Sequence, residues 1–525
     1  TLSTSAGPNL TFDNATGSAG WNVTNKGDMT LDLTESGNLT LGALELANGS
    51  STNVLFNSDN GTDGLLTLKD LTVGDTADIT LSSTGSGQIA AGEYTLGTVD
   101  GTYDGADELA VNFSGTAFSQ LDKANSYIYV DDQGNIVLNA VKSENNTLAE
   151  SVTDPNAEAG AELLWNATAP VGGDLESAYN AVNRMIAAGD AAGANEAMAA
   201  VAGASTAALG MAFAGDLERQ LRAIRNRTTT MGVNQCMVNE GMPYVNAWVN
   251  AEGDRRSLDT DGVASGYELD SWGGTVGLDV DVNPNLTVGL ALTAMYGNLT
   301  VDGPDTLEGD MDTYYVSAFA RYSSGAWTHT FIGTIGMMDA TTERTVNYGN
   351  GAYTAEGSTT GTAFGLMYEI GRVYALDDKG DTCLQPVFNV AYRHATVGSF
   401  EEENSDAGLR VDDQTVDTVT FGAGARLQTV VGENTFNRTS LLELRAMAKL
   451  DVGDTTSEAD VALINGTGKG IIESAEMGAF GVELGMGLHI PVGDENDGTI
   501  FIDVSAEFRS GYTNINGTVG YRINF

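Results

Sequence analysis

The clearest strand pattern in this sequence is its end, which reads Thr518-Val519-Gly520-Tyr521-Arg522-Ile523-Asn524-Phe525. Apolar residues alternate strictly with polar or small ones, and successive side chains of a β-strand point to opposite faces. The stretch therefore predicts a strand with one apolar face, formed by Val519, Tyr521, Ile523 and Phe525.

Further back in the chain, residues 286–296, 442–450 and 500–509 alternate in the same way. A soluble sheet can show this alternation too, so the polar face is the informative one. It carries charges in mid-strand, and these would line a water-filled lumen if the apolar face met lipid. The charged residues are Glu443, Arg445, Lys449, Asp503, Glu507 and Arg509.

Twelve segments of this kind follow one another, centred near residues 247, 274, 291, 317, 332, 367, 390, 421, 446, 483, 504 and 519. Tight turns at 283–285, 323–325 and 432–434 alternate with longer acidic stretches at 253–266, 301–312, 340–360, 400–414 and 454–473. Short turns on one rim and long loops on the other are typical of outer-membrane barrels, whose closure removes exposed edges. We predict a fold dominated by β-structure, with a 12-stranded antiparallel transmembrane β-barrel over residues 233–525.

The chain before the barrel divides into three regions. Residues 1–142 repeat short apolar-Thr units closed by turn residues, which predicts a β-helix-like stack of short strands, with an Ig-like sandwich as the alternative. Residues 143–172 lose that pattern and predict a linker. Residues 173–232 are rich in helix formers and predict an α-helical segment.

The end of the helical segment is basic in a chain that is otherwise acidic. Compensation of the helix dipole on a surface helix is one explanation. The other is that the helix threads the barrel, because an even strand count puts both barrel ends on one rim and leaves the helix either in the periplasm or in the lumen. The acidic lumen favours threading. We then expect lumen contacts of Arg219, Arg222, Arg225 and Arg227 with Glu443, Asp503 and Glu507.

The composition excludes several functions. With 71 acidic and 24 basic residues the net charge is −47, which opposes nucleic-acid binding because that needs basic patches. All three histidines fall in barrel segments and both cysteines lie outside residues 1–172. A Ser-His-Asp site, a Cys-His site and a His-ligated metal site are therefore excluded from the N-terminal region. We expect no enzyme, metal or cofactor there, although pairs of carboxylates stay available.

Two motifs resemble a known family. Asp216-Leu217-Glu218-Arg219-Gln220-Leu221-Arg222 is similar to the helix before strand one of classical monomeric autotransporters (type Va secretion), and the ending Gly520 to Phe525 resembles the outer-membrane C-terminal signature. The resemblance implies that the barrel-assembly machinery reads Val519, Tyr521, Ile523 and Phe525. It further implies a monomer that is handled by periplasmic chaperones and inserted in outer-membrane lipid of a Gram-negative cell.

In such a protein the barrel exports its own N-terminal passenger to the cell surface, and the helix stays in the pore. An adhesive or structural passenger with a glycan or protein ligand is then expected. The alternatives are a barrel-anchored surface scaffold without secretion and, less favoured, a diffusion porin. The chain opens at Thr1 without Met, so we expect a targeting segment to be absent from this sequence.

The two cysteines form a predicted pair. Cys236 precedes strand one and Cys383 opens strand seven, so both fall on the predicted periplasmic rim. The oxidising periplasm allows a disulfide between them, provided that residues 228–242 cross the mouth of the barrel.

Overall fold

The structure is a computed structural model with two compact units, Thr1–Val152 with Tyr179–Ala194, and Thr153–Ala178 with Asn195–Phe525, each of which is described by itself. Cys236 and Phe525, both singled out above, lie outside the described residues. The described residues are 2–3, 10–14, 21–34, 39–58, 65–84, 89, 91–114, 116–118, 120–143, 146, 148–167, 173–230, 245–349, 351–433, 439–492 and 498–524.

The first unit is a stack of short strands. They are β1 (Leu2–Ser3), β2 (Leu10–Asn14), β3 (Trp21–Asn25), β4 (Asp28–Leu33), β5 (Leu39–Leu46), β6 (Ser51–Phe56), β7 (Leu66–Val73), β8 (Asp78–Ser83), β9 (Gly92–Val99), β10 (Tyr103–Asp104), β11 (Leu109–Ala110), β12 (Asn112–Ser114), β13 (Tyr127–Val130) and β14 (Asn135–Ala140). One sheet runs β4-β6-β8-β12 and the other β3-β5-β7-β9, with parallel pairing throughout these two series. The antiparallel strands β13 and β14 follow beside β9.

Successive coils of this stack differ in length, which hides the repeat in the sequence. Leu31 pairs with Val54, 23 residues further on, and Val54 pairs with Leu81, 27 residues further on. Leu81 in turn pairs with Phe113, 32 residues further on. The parallel pairing agrees with the β-helix-like prediction and excludes the antiparallel Ig-like sandwich.

The apolar residues of the repeated apolar-Thr segments form the core between the two sheets. Leu31, Phe56, Leu68, Leu81 and Phe118 are each at most 1% exposed. Threonines and acids alternate with these residues and face outward, as the period of two requires. Burial of a core leucine stabilises the fold by about 1.5–3 kcal/mol relative to its exposure.

The second unit contains a barrel and a smaller sheet. Its strands are β15 (Val245–Leu258), β16 (Tyr267–Asn283), β17 (Leu286–Val301), β18 (Asp305–Ser324), β19 (Trp327–Asn347), β20 (Ala352–Arg372), β21 (Tyr374–Ala375), β22 (Thr382–Val397), β23 (Phe400–Glu401), β24 (Leu409–Val411), β25 (Gln414–Glu433), β26 (Thr439–Gly453), β27 (Glu458–Leu463), β28 (Gly470–Glu473), β29 (Phe480–Val492), β30 (Gly498–Arg509) and β31 (Tyr512–Asn524). The short strands β23, β24, β27 and β28 form the four-stranded sheet.

The twelve long strands form a closed antiparallel barrel, which confirms the predicted fold. Each long strand pairs with the next along the chain, and the first, β15, pairs with the last, β31, with Val249 opposite Tyr521. We call the rim where β15 begins and β31 ends the terminal rim, and the opposite one the far rim. Closure pairs the backbone groups of every strand, which lipid demands because it offers no hydrogen bonds.

Two of the predicted long loops are wrong. Residues 301–312 and 340–360 largely continue the strands, so that β19 and β20 reach 21 residues each. The predicted loop at 253–266 is shorter than expected, because β15 extends to Leu258 and residues 259–266 form the connection. Inward positions such as Leu307, Val346 and Tyr353 are buried, while the alternate outward positions are acids and threonines. That outward polarity gives these stretches the composition of loops.

An apolar belt surrounds the outside of the barrel. On β16 it extends from Trp272, 65% exposed, through Leu278, 57% exposed, to Val282, 54% exposed. Residues 272–282 match the roughly 9–11 residues that a tilted strand needs to cross the hydrocarbon core. Beyond Trp272 toward the far rim the same face carries the exposed acids Asp270 and Glu268.

The outer wall beyond the belt contains a row of like charges. Glu308 on β18 lies directly opposite Glu343 on β19, and Glu343 lies opposite Glu356 on β20. Glu356 pairs through its backbone with Glu403, next to β23. Like charges opposite each other across strands destabilise a sheet.

The helices are α1 (Pro155–Trp165), α2 (Asp174–Ala188), α3 (Ala191–Ala202) and α4 (Ala208–Thr230). Within the described residues no single helix is long and apolar enough to cross a membrane, although the bent pair Ala191–Ala202 and Ala204–Thr228 meets that test when counted together. The predicted linker at 143–172 contains α1. Its start is encoded locally, because Asp154 accepts a hydrogen bond from the Asn156 amide at 2.9 Å and Pro155 occupies the first helical position.

The apolar belt makes a prediction about stability. Replacing Leu278 by Arg places a charge near the middle of the belt and is expected to lower the free energy of unfolding by about 2–4 kcal/mol. Urea unfolding of the full chain in lipid vesicles measures this loss. Thr341→Arg, on the outer face beyond the belt, is the matched control and is expected to change the free energy little; equal losses for both variants would contradict the placement of the belt.

Candidate functional site

Helix α4 fills the barrel lumen and contacts β16, β18, β19, β20, β22 and β25. At the far rim the Gly210 amide donates to Gln414 Oε1 at 2.9 Å. Toward the terminal rim Arg227 Nη2 lies 3.3 Å from Asp279 Oδ1. The helix therefore runs along the lumen, with its amino end at the far rim and its carboxyl end toward the terminal rim.

One face of α4 is apolar. Leu217, Leu221 and Ile224 share it at the i, i+4, i+7 spacing and are at most 1% exposed. A Cβ at Gly365 of β20 would come within 3.0 Å of Leu221 Cδ1, so the bare backbone at Gly365 lets the helix approach closely. The apolar wall opposite this face is formed by Trp248, Ala291, Phe319, Ile332, Met367 and Ala391.

The opposite face of α4 is charged and meets a charged wall. Glu218 lies 2.6 Å from Arg393, 2.9 Å from Lys449 and 3.3 Å from Arg509. One turn further, Arg222 lies 2.8 Å from Glu507. The next basic residue, Arg225, pairs with Glu483. These groups are nearly all buried, so each depends on its partner for stabilisation.

A second set of ion pairs joins α4 to β15. Asp216 Oδ1 lies 2.6 Å from Arg256 Nη2, and Asp216 Oδ2 accepts hydrogen bonds from Thr313 and Tyr315, each at 2.8 Å. Arg219 lies 3.1 Å from Glu252. On both charged sides of α4, therefore, an acidic residue nearer the far rim is followed by a basic one, and each meets an oppositely charged residue of the wall.

At the terminal rim the last arginine of α4 is held by aromatic rings as well as by a carboxylate. The Arg227 guanidinium lies 5.0 Å from the centre of the Trp248 ring and 5.7 Å from that of Phe501. Asp279, its carboxylate partner, also accepts a hydrogen bond from Asn246 at 2.6 Å. Cation–π contacts of this kind favour a guanidinium that has lost its water.

The structure brings some of the predicted lumen partners together and gives others different partners. Arg222 meets Glu507, as expected from the sequence. Arg219, Arg225 and Arg227 bind Glu252, Glu483 and Asp279 instead. Glu443 and Asp503 both bind Arg445, at 3.0 Å and 2.6 Å, although Asp503 also accepts from Asn226 at 3.4 Å.

The partners that the sequence reasoning missed carried the same signal as the ones that it found. Glu252, Asp279 and Glu483 occupy inward positions of alternating strands. What alternation leaves open is which wall of the barrel each arginine faces, since that depends on the rotation of α4 in the lumen.

The far mouth of the lumen is closed by contacts that the sequence did not reveal. Arg344 Nη2 and Nε donate to Glu402 at 2.6 and 2.7 Å, and Arg344 Nη1 donates to the carbonyl of Ala200 at 2.9 Å. Ser205 donates to Asp305 through both its hydroxyl, at 2.6 Å, and its amide, at 3.0 Å. The turn between α3 and α4 is thereby fixed to β18 and β19.

Helix α1 adds a second layer at this mouth. It packs on β27 and β28 of the four-stranded sheet. Gly160 on α1 allows the backbone of α3 to approach, because a Cβ there would lie 1.8 Å from the carbonyl oxygen of Met198. We call α1 and the four-stranded sheet together the cap.

The C-terminal positions and the cysteines are placed as follows. Val519 and Tyr521 are 52% and 40% exposed on the outer face of β31, and Ile523 is partly buried on the same strand. Cys383 is 3% exposed and carries no free thiol. Its predicted partner Cys236 lies outside the described residues, so the pairing stays a prediction.

A closed twelve-stranded barrel with an apolar belt outside and a charged helix inside defines an outer-membrane barrel of the helix-filled class. The autotransporter beta-domain family model matches residues 247–524, more than half of the chain. The chain belongs to the autotransporter family. It is a translocator barrel of the Gram-negative outer membrane and is monomeric, as autotransporters are.

Solved structures with a similar fold include three autotransporter domains. The translocator domain of autotransporter NalP from Neisseria meningitidis is 18% identical, with 61% of this chain and 99% of that chain covered at a TM-score of 0.46. The beta domain of the Bordetella autotransporter BrkA is 17% identical, with 54% and 100% covered and a TM-score of 0.40. The transport unit of AIDA-I from Escherichia coli is 13% identical, with 57% and 97% covered and a TM-score of 0.39. No curated protein sequence matches the chain significantly.

The helix in the lumen makes a prediction about conductance. Deleting residues 208–227 removes the side chains that fill the lumen and is expected to convert a barrel of low conductance into a wide open channel in planar bilayers. Heat-dependent migration on denaturing gels checks that the deleted barrel still folds. A wide resting pore in the full chain would contradict the filled lumen.

The cysteine pair is tested by mapping disulfide-linked peptides under non-reducing conditions. We expect one linked peptide pair containing Cys236 and Cys383, which collapses to two peptides on reduction. Two free thiols in protein isolated without reductant would remove the predicted bond.

Proposed function

We propose that the barrel exports residues 1–172 to the cell surface, where residues 1–142 act as an adhesive or structural passenger. The observation that carries this proposal is the direction of α4. Its carboxyl end leads toward β15 at the terminal rim, while its amino end leaves the lumen at the far rim. The chain before α4 therefore exits on the side away from both barrel ends.

The orientation of the barrel in the membrane supports the same direction. Outer-membrane barrels keep short turns on the periplasmic side and extend on the outside. Here β18, β19 and β20 reach 20, 21 and 21 residues, and they project past the apolar belt at the far rim. The terminal rim is accordingly the periplasmic one, and the far rim faces the medium.

The chemistry of the passenger favours binding or coating over catalysis. Residues 1–172 contain neither His nor Cys. A regular stack with a polar outer face offers a long surface for a glycan or protein ligand. We further propose that assembly uses periplasmic chaperones and the barrel-assembly machinery, the latter reading the alternate residues Val519, Tyr521, Ile523 and Phe525 of the sequence.

Protease shaving of intact cells tests the export. With an epitope tag at the amino end, added protease is expected to remove the tag and to leave a protected fragment of about barrel size, because the barrel is shielded by lipid. A periplasmic protein that survives the same treatment shows that the outer membrane was intact. A tag that disappears only after the outer membrane is opened would overturn the proposal and leave a barrel with a periplasmic domain.

A further inference from the structure

The charges on α4 and on the lumen wall are arranged in matching order. Toward the far rim, Glu218 sits among three cations of the wall, Arg393, Lys449 and Arg509. Toward the terminal rim, Arg222 and Arg225 face acids of the wall. The order on the helix is therefore acid then base, and the order on the wall is base then acid.

A helix that travels one turn too far outward breaks this match. A shift by four residues, slightly more than one turn, is about 6 Å, so Arg222 would take the place of Glu218. Its guanidinium would then lie among Arg393, Lys449 and Arg509. Four cations would then share the wall acids Asp451, Glu483 and Glu507, and the carboxylate of Glu218 would be missing from the cluster. The exchange of an acid for a base is costly because buried charges are screened poorly.

A helix that stops one turn too early breaks the match in the opposite sense. Glu218 would then take the place of Arg222, beside Glu507 and close to Glu483. Ala214 would take the place of Glu218, so the three cations of the wall would lose the one acid that α4 supplies. They would keep only their partners on the wall, Asp451, Glu483 and Glu507. Both displacements thus create buried like charges, and one position of α4 avoids them.

The pairs on β15 repeat the arrangement independently. Asp216 meets Arg256, and Arg219 meets Glu252, again with the acid of the helix nearer the far rim. A displacement outward by one turn would put Gln220 and Ala223 in these places. Neither residue can replace the lost charges, so the ion pairs with β15 favour the same position of α4 as the pairs of Glu218.

We propose that Glu218 is the positioning residue that fixes the resting register of α4, and that its capture by Arg393, Lys449 and Arg509 sets how far the exported chain is drawn through the barrel. The second part of this inference, how far the chain is drawn, rests on the proposed export. The register itself is a property of the assembled barrel and is measured without reference to where the passenger lies.

Cross-linking from one helix position to one strand reads the register. Gln220 Nε2 lies 3.0 Å from Thr293 Oγ1, and Ala291 and Met295 are the inward-facing neighbours of Thr293 on β17, toward the terminal and far rims respectively. In the full chain with Cys236→Ser and Cys383→Ser, Gln220→Cys is combined in turn with Ala291→Cys, Thr293→Cys or Met295→Cys. A short thiol-to-thiol cross-linker is expected to favour position 293 by about tenfold over the other two.

The variants separate charge from shape. Glu218→Gln keeps the shape and loses the charge, so the preference for position 293 over 291 is expected to fall about tenfold or more. Glu218→Asp keeps the charge and is expected to hold the preference within about twofold. Arg222→Gln removes the barrier to outward travel and is expected to raise cross-linking at position 295.

The control is Glu268→Arg, which reverses an exposed charge on the outer wall and is expected to leave the pattern unchanged. Heat-dependent migration confirms that each barrel is folded, and Arg222→Gln carries the test alone if Glu218→Gln does not assemble. An unchanged pattern in the folded Gln variants would overturn the positioning role of Glu218. A tag that stays in the periplasm while the register holds would overturn only the export.

Discussion

Charges enclosed in a lumen without bulk water have to be paired, and this requirement organises the second unit. Arg219 and Arg225 are each 1% exposed, and Glu483 is fully buried. An ionised group left alone in such a place costs several kcal/mol, so the sequences of the helix and the wall constrain each other. The apolar face of α4 follows the same logic, since Leu221 packs where the wall is apolar. The helix is amphipathic although neither face meets water or lipid.

The barrel obeys a second constraint, which lipid imposes on its backbone. Pairing of β15 with β31 leaves no strand edge in the hydrocarbon layer. Outside the belt this constraint ends, because water can hydrogen-bond to whatever is exposed. The wall beyond the belt is accordingly polar on its outer face, and the four-stranded sheet of the cap grows from two of the connections at the far rim. The same long strands thus cross the lipid and extend beyond it into water.

The sequence predicted the barrel because alternation is a local property that survives in every strand. It overestimated the far loops because Glu308, Glu343 and Glu356 give an extended wall the composition of a loop. It predicted contacts of the four arginines with a set of three acids and assigned no individual pairs. In the structure Arg222 lies beside Glu507, whereas the other three arginines meet Glu252, Glu483 and Asp279. Alternation states that Glu252 and Glu483 face inward, whereas their partners depend on the rotation of α4. The contact of Arg344 with Glu402 joins segments 58 residues apart, and no local pattern marks it.

The row of glutamates on the outer wall gives the barrel two electrostatic regimes. Glu308, Glu343 and Glu356 repel one another through solvent, where the range of the repulsion is about 8 Å at physiological ionic strength and shrinks as salt is added. The ion pairs of the lumen are shielded from the medium and respond little. Added salt therefore weakens the repulsion within the outer wall and leaves the ion pairs between α4 and the lumen nearly unchanged. The outer wall is destabilised less by its own charges in sea water than in fresh water.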